Sequence, residues 1–542
     1  SVLAPWPNSL KEFVAATKVW LGRKLWTKAE VSQRLQIHPE LIDEIAHHES
    51  HAAQAFLGSK FEESAILIVD AVGEWSTTSL LRGQWIDGHP VFETLASSDY
   101  PNSLGLFYSA FTEFFGFRAM DDECSVMALS AFGKPTFANE VRKIVSTEKG
   151  VVSLSTKYFD FDRSLRSPFT QTFTEVFGEP CSAPFKFSAF EMVPVDSEEQ
   201  RYADLAASVQ LVFEEALLDL ARFLKSQTGS ASLCFAGGAA LNCVAHSRLI
   251  REAGFQNIFV PIEPGDGGAA AGAAQLRHCQ LVSSNANALH SEVFLGESHE
   301  TTSLMKILPL LEIGDFRNFR KHGDSGVVEK EWAFERADSE DALMASVVAE
   351  LIDSKVVGWF QGAFENGPRA LGHRSLLIRP DSVALARRLS SAVKDRAPFR
   401  PYALAMTAAE ALRILDETPE FLAQKGIERM QCAALVRKEL QQDFRSGVHT
   451  DGTTRPQVVN SFENPKFHRL LEKFGKASGS AVLINTSFNE SGYPIVNTPL
   501  EALLMFARTD LDVLVIEDVI VRKVRVHDSK EVQSRSARSL TV

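Results

Sequence analysis

Cysteine is scarce: six residues among 542, at 124, 181, 234, 243, 279 and 432, with no C-x-x-C pair. Several sit in apolar runs, as reduced core thiols do, and a cytoplasmic protein is the expectation. The opening SVLAPWPNSLKEFV lacks a charged segment followed by an apolar one, so it does not read as a signal peptide. It also lacks an initiator Met, and the natural N-terminus is expected upstream. No apolar run reaches the roughly 18 residues needed to span a bilayer. Positive charge is in deficit, with 56 Lys and Arg against 69 Asp and Glu and a net charge of −13. That balance excludes the broad basic face of a duplex nucleic-acid binder and argues against an anionic membrane surface. Neither G-x-x-x-x-G-K-[ST] nor a sustained G-x-G-x-x-G is present, which disfavours P-loop kinases and Rossmann dehydrogenases. Internal repeats and long low-complexity tracts are absent too.

What is present reads as a globular α/β chain. Hydrophobic content is 45% and charged content 23%. The length allows three or four ordinary domains or two large ones. Residues 8–45 carry helical spacing. AILIVDAVG at 65–73 reads as a buried strand that delivers a carboxylate at its end, and 103–117 as an aromatic-rich helix. Residues 145–200, rich in Ser, Phe and Pro, read as an irregular insertion. A strong amphipathic helix is expected over 203–226. SLCFAGGAALN at 232–242 and NIFVPIEPGDGGAAAGAAQLRH at 257–278 each read as strand, glycine turn and helix. This alternation predicts a largely parallel sheet with a ligand crevice at the strand ends. Residues 295–340, including GDSG at 323–326, read as an inter-domain connection. A second domain follows, with a helix at 342–354 and strands at 355–362, 479–496 and 513–524.

Two constellations carry chemistry. In HHESH, His47 and His51 are four apart, on one face of a helix. Two imidazoles can hold a divalent cation if carboxylates complete the set, and Asp70 and Asp266 stand at strand ends. An isolated H-x-x-x-H is equally compatible with surface or capping histidines. The turns at Asp266-Gly267-Gly268 and Gly237-Gly238, with Asn242 beyond, offer amides to an anion, or are plain turns that need a positive φ. The second constellation is basic. ENGPRALGHRSLL at 365–377 carries Arg369 and Arg374, KDRAPFRPYA at 394–403 adds Lys394, Arg396 and Arg400, and DGTTRPQ at 451–457 adds Arg455. NTSFN at 485–489 is a polar turn after a strand. Guanidinium forks and a lysine point charge, gathered in one cleft, suit a nucleoside triphosphate and a second phosphorylated substrate.

Together these segments resemble the natural-product O-carbamoyltransferases, a family acting on nodulation factors, cephalosporins, aminoglycosides and ansamycins. HHESHAAQAF, the Asp70 strand, CFAGGAALNCVAHSRL and PGDGGAAAGAA are similar to its first half. WFQGAFENGPRALGHRSLL, KDRAPFRPYA, DGTTRPQ and INTSFNESGYPIV are similar to its second. The resemblance implies an actin/Hsp70-like, threonylcarbamoyl-transferase-like domain over 1–300 and a smaller α/β domain, similar to threonylcarbamoyl-adenylate synthases, over 325–542. The second would join carbamoyl phosphate to ATP, giving carbamoyl-adenylate and pyrophosphate; the first would pass the carbamoyl group to a hydroxyl and release AMP.

By motif matching, His47, His51, Asp70 and Asp266 correspond to metal ligands, with iron expected and zinc or manganese as alternatives. Arg369, Lys394, Arg400 and Arg455 match carbamoyl phosphate and ATP contacts, with Asn485 and Ser487 beside them and Mg2+ able to accompany ATP. Gly237, Gly238 and Asn242 would contact nucleotide at the first site. Lys394, Arg400, His47 and Asp70 are the expected catalytic groups. The implied partner is a small natural-product hydroxyl acceptor, with no nucleic acid and no membrane, and a homodimer is compatible. Two departures stand out. The family's opening strand with its His-Asp-Ser-type segment is absent, and Glu123-Cys124-Ser125 stands where Glu-x-Lys is common. A tRNA threonylcarbamoyl-type enzyme and a non-catalytic homologue are the alternatives.

Overall fold

The computed structural model describes residues 14, 17, 18, 20–22, 24–160, 168–183, 185, 186, 197–282, 293–301, 330–394, 396, 397 and 399–525. They divide into two compact units: Ser1–Lys186, Pro194–Ser291 and Gln424–Gly426 form one, and Phe187–Val193, Glu292–Ala423 and Ile427–Val542 the other. Both are mixed α/β. Among the described residues no helix is long and apolar enough to cross a membrane.

Early in the first unit lies a short helix, α1 (Thr27–Leu35), which ends at Gln36 in the left-handed conformation. Past it the chain makes one 3-10 turn at Pro39–Leu41 and no further helix before Ala46. Residues 14, 17, 18 and 20–22 are helical and Lys24–Trp26 makes a 3-10 turn, so the helical reading of 8–45 holds in pieces as far as Leu35; residues 8–13, 15, 16, 19 and 23 lie outside the described residues. The buried helix α2 (His47–Ser59) follows. The sheet has the order β3-β2-β1-β6-β7. Its strands β1 (Glu63–Gly73), β2 (Ser76–Ile86) and β3 (His89–Asp99) form an antiparallel meander, while β6 (Ser232–Ala236) and β7 (Asn257–Phe259) run parallel to β1. The expected largely parallel sheet is thus corrected to a mixed one. Two-residue connections between β1, β2 and β3 permit only antiparallel pairing. Ile66, Leu67, Ile68 and Val69 are all fully buried, since β1 has neighbours on both edges and packing on both faces.

Parts of 145–183 are regular and pack into the core, contrary to the expectation of an irregular insertion; residues 161–167 lie outside the described residues. β4 (Val145–Glu148) and β5 (Val151–Leu154) pair as a hairpin. Phe169, Phe173 and Phe177 pack on the helix α3 (Leu104–Phe114), with Phe173 centred 4.9 Å from Phe111 and 5.3 Å from Phe114. Phe173 and Phe177 belong to α4 (Gln171–Phe177) and Phe169 precedes it, so the phenylalanine richness serves packing. Residues 187–196 of that segment lie outside the described residues. The long helix α5 (Ser197–Thr228) begins beyond them.

Two further helices follow strands as expected: α6 (Cys243–Glu252) after β6 and α7 (Asp266–Leu281) after β7. α7 lies very close to α2. A Cβ on Gly268 would sit 1.8 Å from Gln54 Nε2, and one on Gly272 would sit 2.0 Å from the Ser50 carbonyl oxygen. The two glycines are one turn apart, so they form a flat strip on one face. Gln54 Nε2 donates to Glu263 O at 2.6 Å across the same contact.

In the second unit a nine-stranded sheet has the order β12-β13-β11-β14-β10-β9-β15-β16-β8. Its strands are β8 (Lys330–Arg336), β9 (Val357–Phe360), β10 (Arg374–Ile378), β11 (Ala403–Met406), β12 (Ala434–Leu435), β13 (Thr453–Val458), β14 (Val482–Ser487), β15 (Val513–Ile516) and β16 (Val519–Arg525). Only β11/β13 and β9/β15 pair in parallel. The strand expected over 513–524 is a hairpin of two, turning at Glu517 with φ 54°. Helices α8 (Glu340–Ile352) and α10 (Pro465–Ser478) bury Leu343, Val347, Leu351, Phe467, Leu471 and Phe474 against the sheet, and a short α9 (Val383–Arg388) lies between them in the chain. Most of the expected connection, 302–329 including GDSG, lies outside the described residues.

The α2–α7 contact generates a prediction. Gly272→Ala places a methyl on a backbone oxygen that cannot yield, and it should cost about 1–3 kcal/mol. A lowered thermal midpoint of the purified chain checks this; Ala271→Gly, on the exposed side of α7, should cost about 1 kcal/mol or less. An unchanged midpoint for Gly272→Ala would contradict the close contact.

Candidate functional site

In the first unit, His47 and His51 project from the first turns of α2, Asp70 ends the buried stretch of β1, and Asp266 opens α7. Their ligand atoms all lie within 4.8 Å of one another. His47 Nε2 is 3.1 Å from Asp70 Oδ2, 3.3 Å from Asp266 Oδ1 and 3.1 Å from His51 Nε2. His51 Nε2 is 3.3 Å from Asp70 Oδ2 and 3.6 Å from Asp266 Oδ1. Around one tetrahedral ion with bonds of about 2.0–2.2 Å, ligand atoms stand roughly 3.3–3.6 Å apart. The observed separations are close to that spacing. Proton sharing accounts for them less well, because one N–H cannot serve an imidazole and two carboxylates at once.

The electrostatics follow from this crowding. A hydrogen bond from His47 to Asp70 raises the imidazole above its ordinary range, against the opposing effect of burial. Burial alone would raise Asp70; hydrogen bonds from both histidines and from the Ala71 amide outweigh it and hold the carboxyl well below the usual range. His48 points elsewhere, with Nδ1 2.7 Å from Ser79 Oγ, and burial lowers it to about 4. It is not part of the cluster. Among the described residues, His51 Nδ1 is buried without a hydrogen-bond partner.

The glycine turn after β6 serves this cluster. Gly237 has φ 89°, and a Cβ on it would lie 2.2 Å from Val69 O, so only glycine lets the turn pass the end of β1. Gly238 N lies 3.4 Å from Asp70 Oδ1. Asn242 caps α6 through the Ala245 amide and pairs with Gln210, which in turn accepts from Tyr108. Ser103 Oγ donates to the carbonyls of Asp70 and Ala71, fixing the strand end from the other side. Of the expected nucleotide contacts, Gly238 therefore touches a cluster carboxylate, while Gly237 and Asn242 are engaged in the fold.

In the second unit the basic residues divide into two kinds. Arg374 is fully buried and stacks over Phe360 at 3.6 Å. Its guanidinium donates to the carbonyls of Gln361, Gly362, His373 and Glu297. Burial lowers it to about 10. It is a clamp inside the loop rather than a phosphate ligand, which corrects its place in the expected basic pocket. Glu365, also buried, accepts the amides of Leu371, His373 and Arg374 and shapes the same loop. Neither role announces itself in the sequence. A lone carboxylate at the head of ENGPRALGHR was the one available signal for Glu365.

Lys394 ends a π-helical turn (Leu389–Lys394) and is buried. Nζ reaches Ser487 O at 2.6 Å, Ser487 Oγ at 3.2 Å, Asn489 O at 3.0 Å and Asn489 Oδ1 at 2.8 Å. Burial pushes it well below its ordinary value, and Arg396 and Arg400 push in the same direction. Asn489, not singled out from the sequence, is thus a partner of the key lysine. Arg455 and Asn485 pair in register with Ala403 from opposite edges of β11, so both face one side of the sheet with Ser487 two residues on. Asn485 Nδ2 donates to Ala370 O at 3.1 Å, beside the half-buried Arg369. The strand register thereby sets Arg455, Asn485 and Ser487 on one side of the sheet, and the Ser487 contacts bring Lys394 to the end of β14.

Comparison with known proteins agrees along the chain. Residues 2–275 match the Carbamoyltransferase N-terminus family and residues 348–523 the Carbamoyltransferase C-terminus family. An uncharacterized protein of Synechocystis sp. is 33% identical over 95% of this chain and 83% of its own length. Nodulation protein NolNO of Sinorhizobium fredii is 31% identical over 96% of this chain and 70% of its own. The 3'-hydroxymethylcephem-O-carbamoyltransferase of Streptomyces clavuligerus is 27% identical over 78% of this chain and 69% of its own.

The Arg374 clamp is testable. Arg374→Met keeps the bulk and removes the donors, leaving several buried carbonyls unserved at a cost of roughly 3–5 kcal/mol. Denaturant or thermal unfolding should show that loss in the second unit, with Arg374→Lys intermediate. A neutral Arg374→Met would return Arg374 to the ligand pocket.

Proposed function

Since the chain belongs to the carbamoyltransferase family, we propose that it is an ATP-dependent O-carbamoyltransferase with two reaction centres, acting on a hydroxyl of a small natural product. The observation that carries the reading is the convergence of His47, His51, Asp70 and Asp266 at ligand spacing in the first unit. The gathering of Lys394, Arg455, Asn485 and Ser487 in the second supports the other centre.

At the second centre, carbamoyl phosphate loses phosphate to water, and the carbamate oxygen displaces pyrophosphate at the α-phosphorus of ATP. The product is carbamoyl-adenylate. Lys394, with Arg369, Arg400 and Arg455 around it, stabilises the charge that builds on the phosphate oxygens. Asn485 and Ser487 orient the substrates from β14. At the first centre the acceptor oxygen attacks the carbamoyl carbon, AMP leaves, and the hydroxyl proton passes to a base. Two imidazoles and two carboxylates form a mixed N/O set that suits iron, with zinc or manganese as alternatives. Held by these four residues, such an ion would supply Lewis acidity. The fold of this unit is read as actin/Hsp70-like and that of the second as adenylate-synthase-like.

With ATP, carbamoyl phosphate and a divalent ion, the protein should release pyrophosphate. Lys394→Ala should abolish that release, by about a hundredfold or more. His47→Ala should retain it and lose carbamoyl transfer. Equal loss of both steps in both variants would contradict the division into two centres, and no ATP turnover in the wild type would sink the reading. Metal analysis should find one ion per chain, reduced in His51→Ala with Asp70→Asn; unchanged metal content in that double variant would exclude these four as the ligands.

A further inference from the structure

Lys394 meets more oxygens than it has hydrogens. An ammonium carries three N–H groups, and four oxygens lie within 3.2 Å of Nζ. Two of them are main-chain carbonyls, of Ser487 and Asn489. Ser487 Oγ is the longest contact at 3.2 Å, and its own hydrogen goes to Asn489 Oδ1 at 2.6 Å. Asn489 Oδ1 thus receives both Lys394 and Ser487. Asn489 Nδ2 donates to Tyr493 O at 2.7 Å, which fixes the end of the amide that faces the ammonium.

The oxygens answer an electrostatic problem. Lys394 is buried, and among the described residues no carboxylate pairs with it. The charges that face it, Arg396 and Arg400, are both cationic. Glu490, next to Asn489, pairs with Arg508. Asp510, whose amide donates to Ala392 O, pairs with Arg388. A buried ammonium without a counter-ion keeps its proton through the oxygens that accept from it.

We propose that Asn489 is a positioning residue for Lys394: its side-chain oxygen holds the ammonium charged and aimed before ATP arrives, and then gives way to a phosphate oxygen. This rests on the adenylate-forming reading of the second centre. With every hydrogen of Nζ already placed, a phosphate can be met only by exchange. Asn489 Oδ1 is the contact that exchanges at least cost. The main-chain carbonyls are fixed by the fold, whereas Asn489 Oδ1 keeps the Ser487 hydroxyl as a donor after Nζ leaves it. Ser487 and Asn489 are half-buried, as groups that a ligand reaches must be.

Pyrophosphate release by the full chain, with carbamoyl phosphate saturating and ATP varied, is followed against pH in the wild type, Asn489→Ala and Asn489→Asp. kcat/KM for ATP reports the free enzyme and kcat the complex. Removing an oxygen lowers the pKa of a buried ammonium, and the charged form is then lost earlier as pH rises. The basic limb of kcat/KM should therefore move to lower pH in Asn489→Ala, by about one unit or more. Asn489→Asp supplies a carboxylate and should move that limb to higher pH. In kcat the limbs should nearly coincide, because a phosphate has replaced Asn489 in the complex. Below its shifted limb, Asn489→Ala should approach the wild-type kcat/KM, which a purely structural defect would not allow. A kcat/KM limb unmoved in both variants overturns the assignment, as does a kcat limb shifted as far as that of kcat/KM. If the thermal midpoint shows Asn489→Ala unfolded, the direction of the Asn489→Asp shift decides. A wild type without pyrophosphate release fails the functional reading instead.

Discussion

The first centre depends on how closely α7 approaches α2. Helices usually pack with axes about 8–10 Å apart, the distance set by the side chains at the contact. Here Gly268 and Gly272 present bare backbone to Ser50 and Gln54, so the approach is set by main chain. That proximity brings Asp266, the first residue of α7, beside two imidazoles on the first turns of α2. Asp70 arrives independently, at the end of a strand buried on both faces. Two consecutive elements, α2 and β1, and a third far along the chain, α7, thus converge on one point. This matters for a centre that buries His51 and Asp70: taking an imidazole and a carboxylate out of water costs free energy that proton sharing repays only in part.

The second unit meets a related problem in a different way. Its basic residues lie among glycines, prolines and aromatics, where an unpaired cation is costly. Arg374 resolves this by serving four carbonyls, and Lys394 by meeting the oxygens of Ser487 and Asn489. The Arg374 bonds tie β9, β10 and the loop before β10 into one piece. Those of Lys394 tie the π-helical turn to the end of β14. The first is wholly internal. The second stands at a strand end beside Asn485 and the Arg455 rung, so its ammonium is positioned by the chain before any ligand is considered.

Much of this was legible from residue order. The His47/His51 spacing, the Asp70 strand and the two strand–turn–helix segments at 232–252 and 257–281 follow from apolar periodicity and glycine placement, which act locally. What was not legible is pairing. A continuous apolar strand such as β1 is compatible with parallel or antiparallel neighbours, and only the shortness of the turns at Glu74–Trp75 and Asp87–Gly88 decides it. Roles within one residue type were equally hidden. Arg374 and Arg369 occupy the same glycine-rich loop and read alike, yet one is swallowed by carbonyls and the other is half-buried at the loop. The glycines of PGDGGAAAGAA suggested an anion cradle; two of them instead face a helix, a choice set by a partner some 200 residues away.

The two centres have donor sets that do not interchange, and this favours a division of labour over duplication. A cluster of two imidazoles and two carboxylates has no permanent positive charge of its own, and three phosphates would meet Asp70, held ionised by its neighbours, before anything cationic. Guanidinium and ammonium groups supply that charge but offer no lone pairs for a transition-metal ion. Forming an acyl-phosphate anhydride requires the first kind of help, countering charge on several phosphate oxygens at once. Moving its acyl group to a neutral hydroxyl requires the second, polarising one group while a base accepts one proton. On the proposed reading, a chain that carries both sets, each built by its own sheet, makes an activated carbamoyl group with one and spends it on an acceptor with the other.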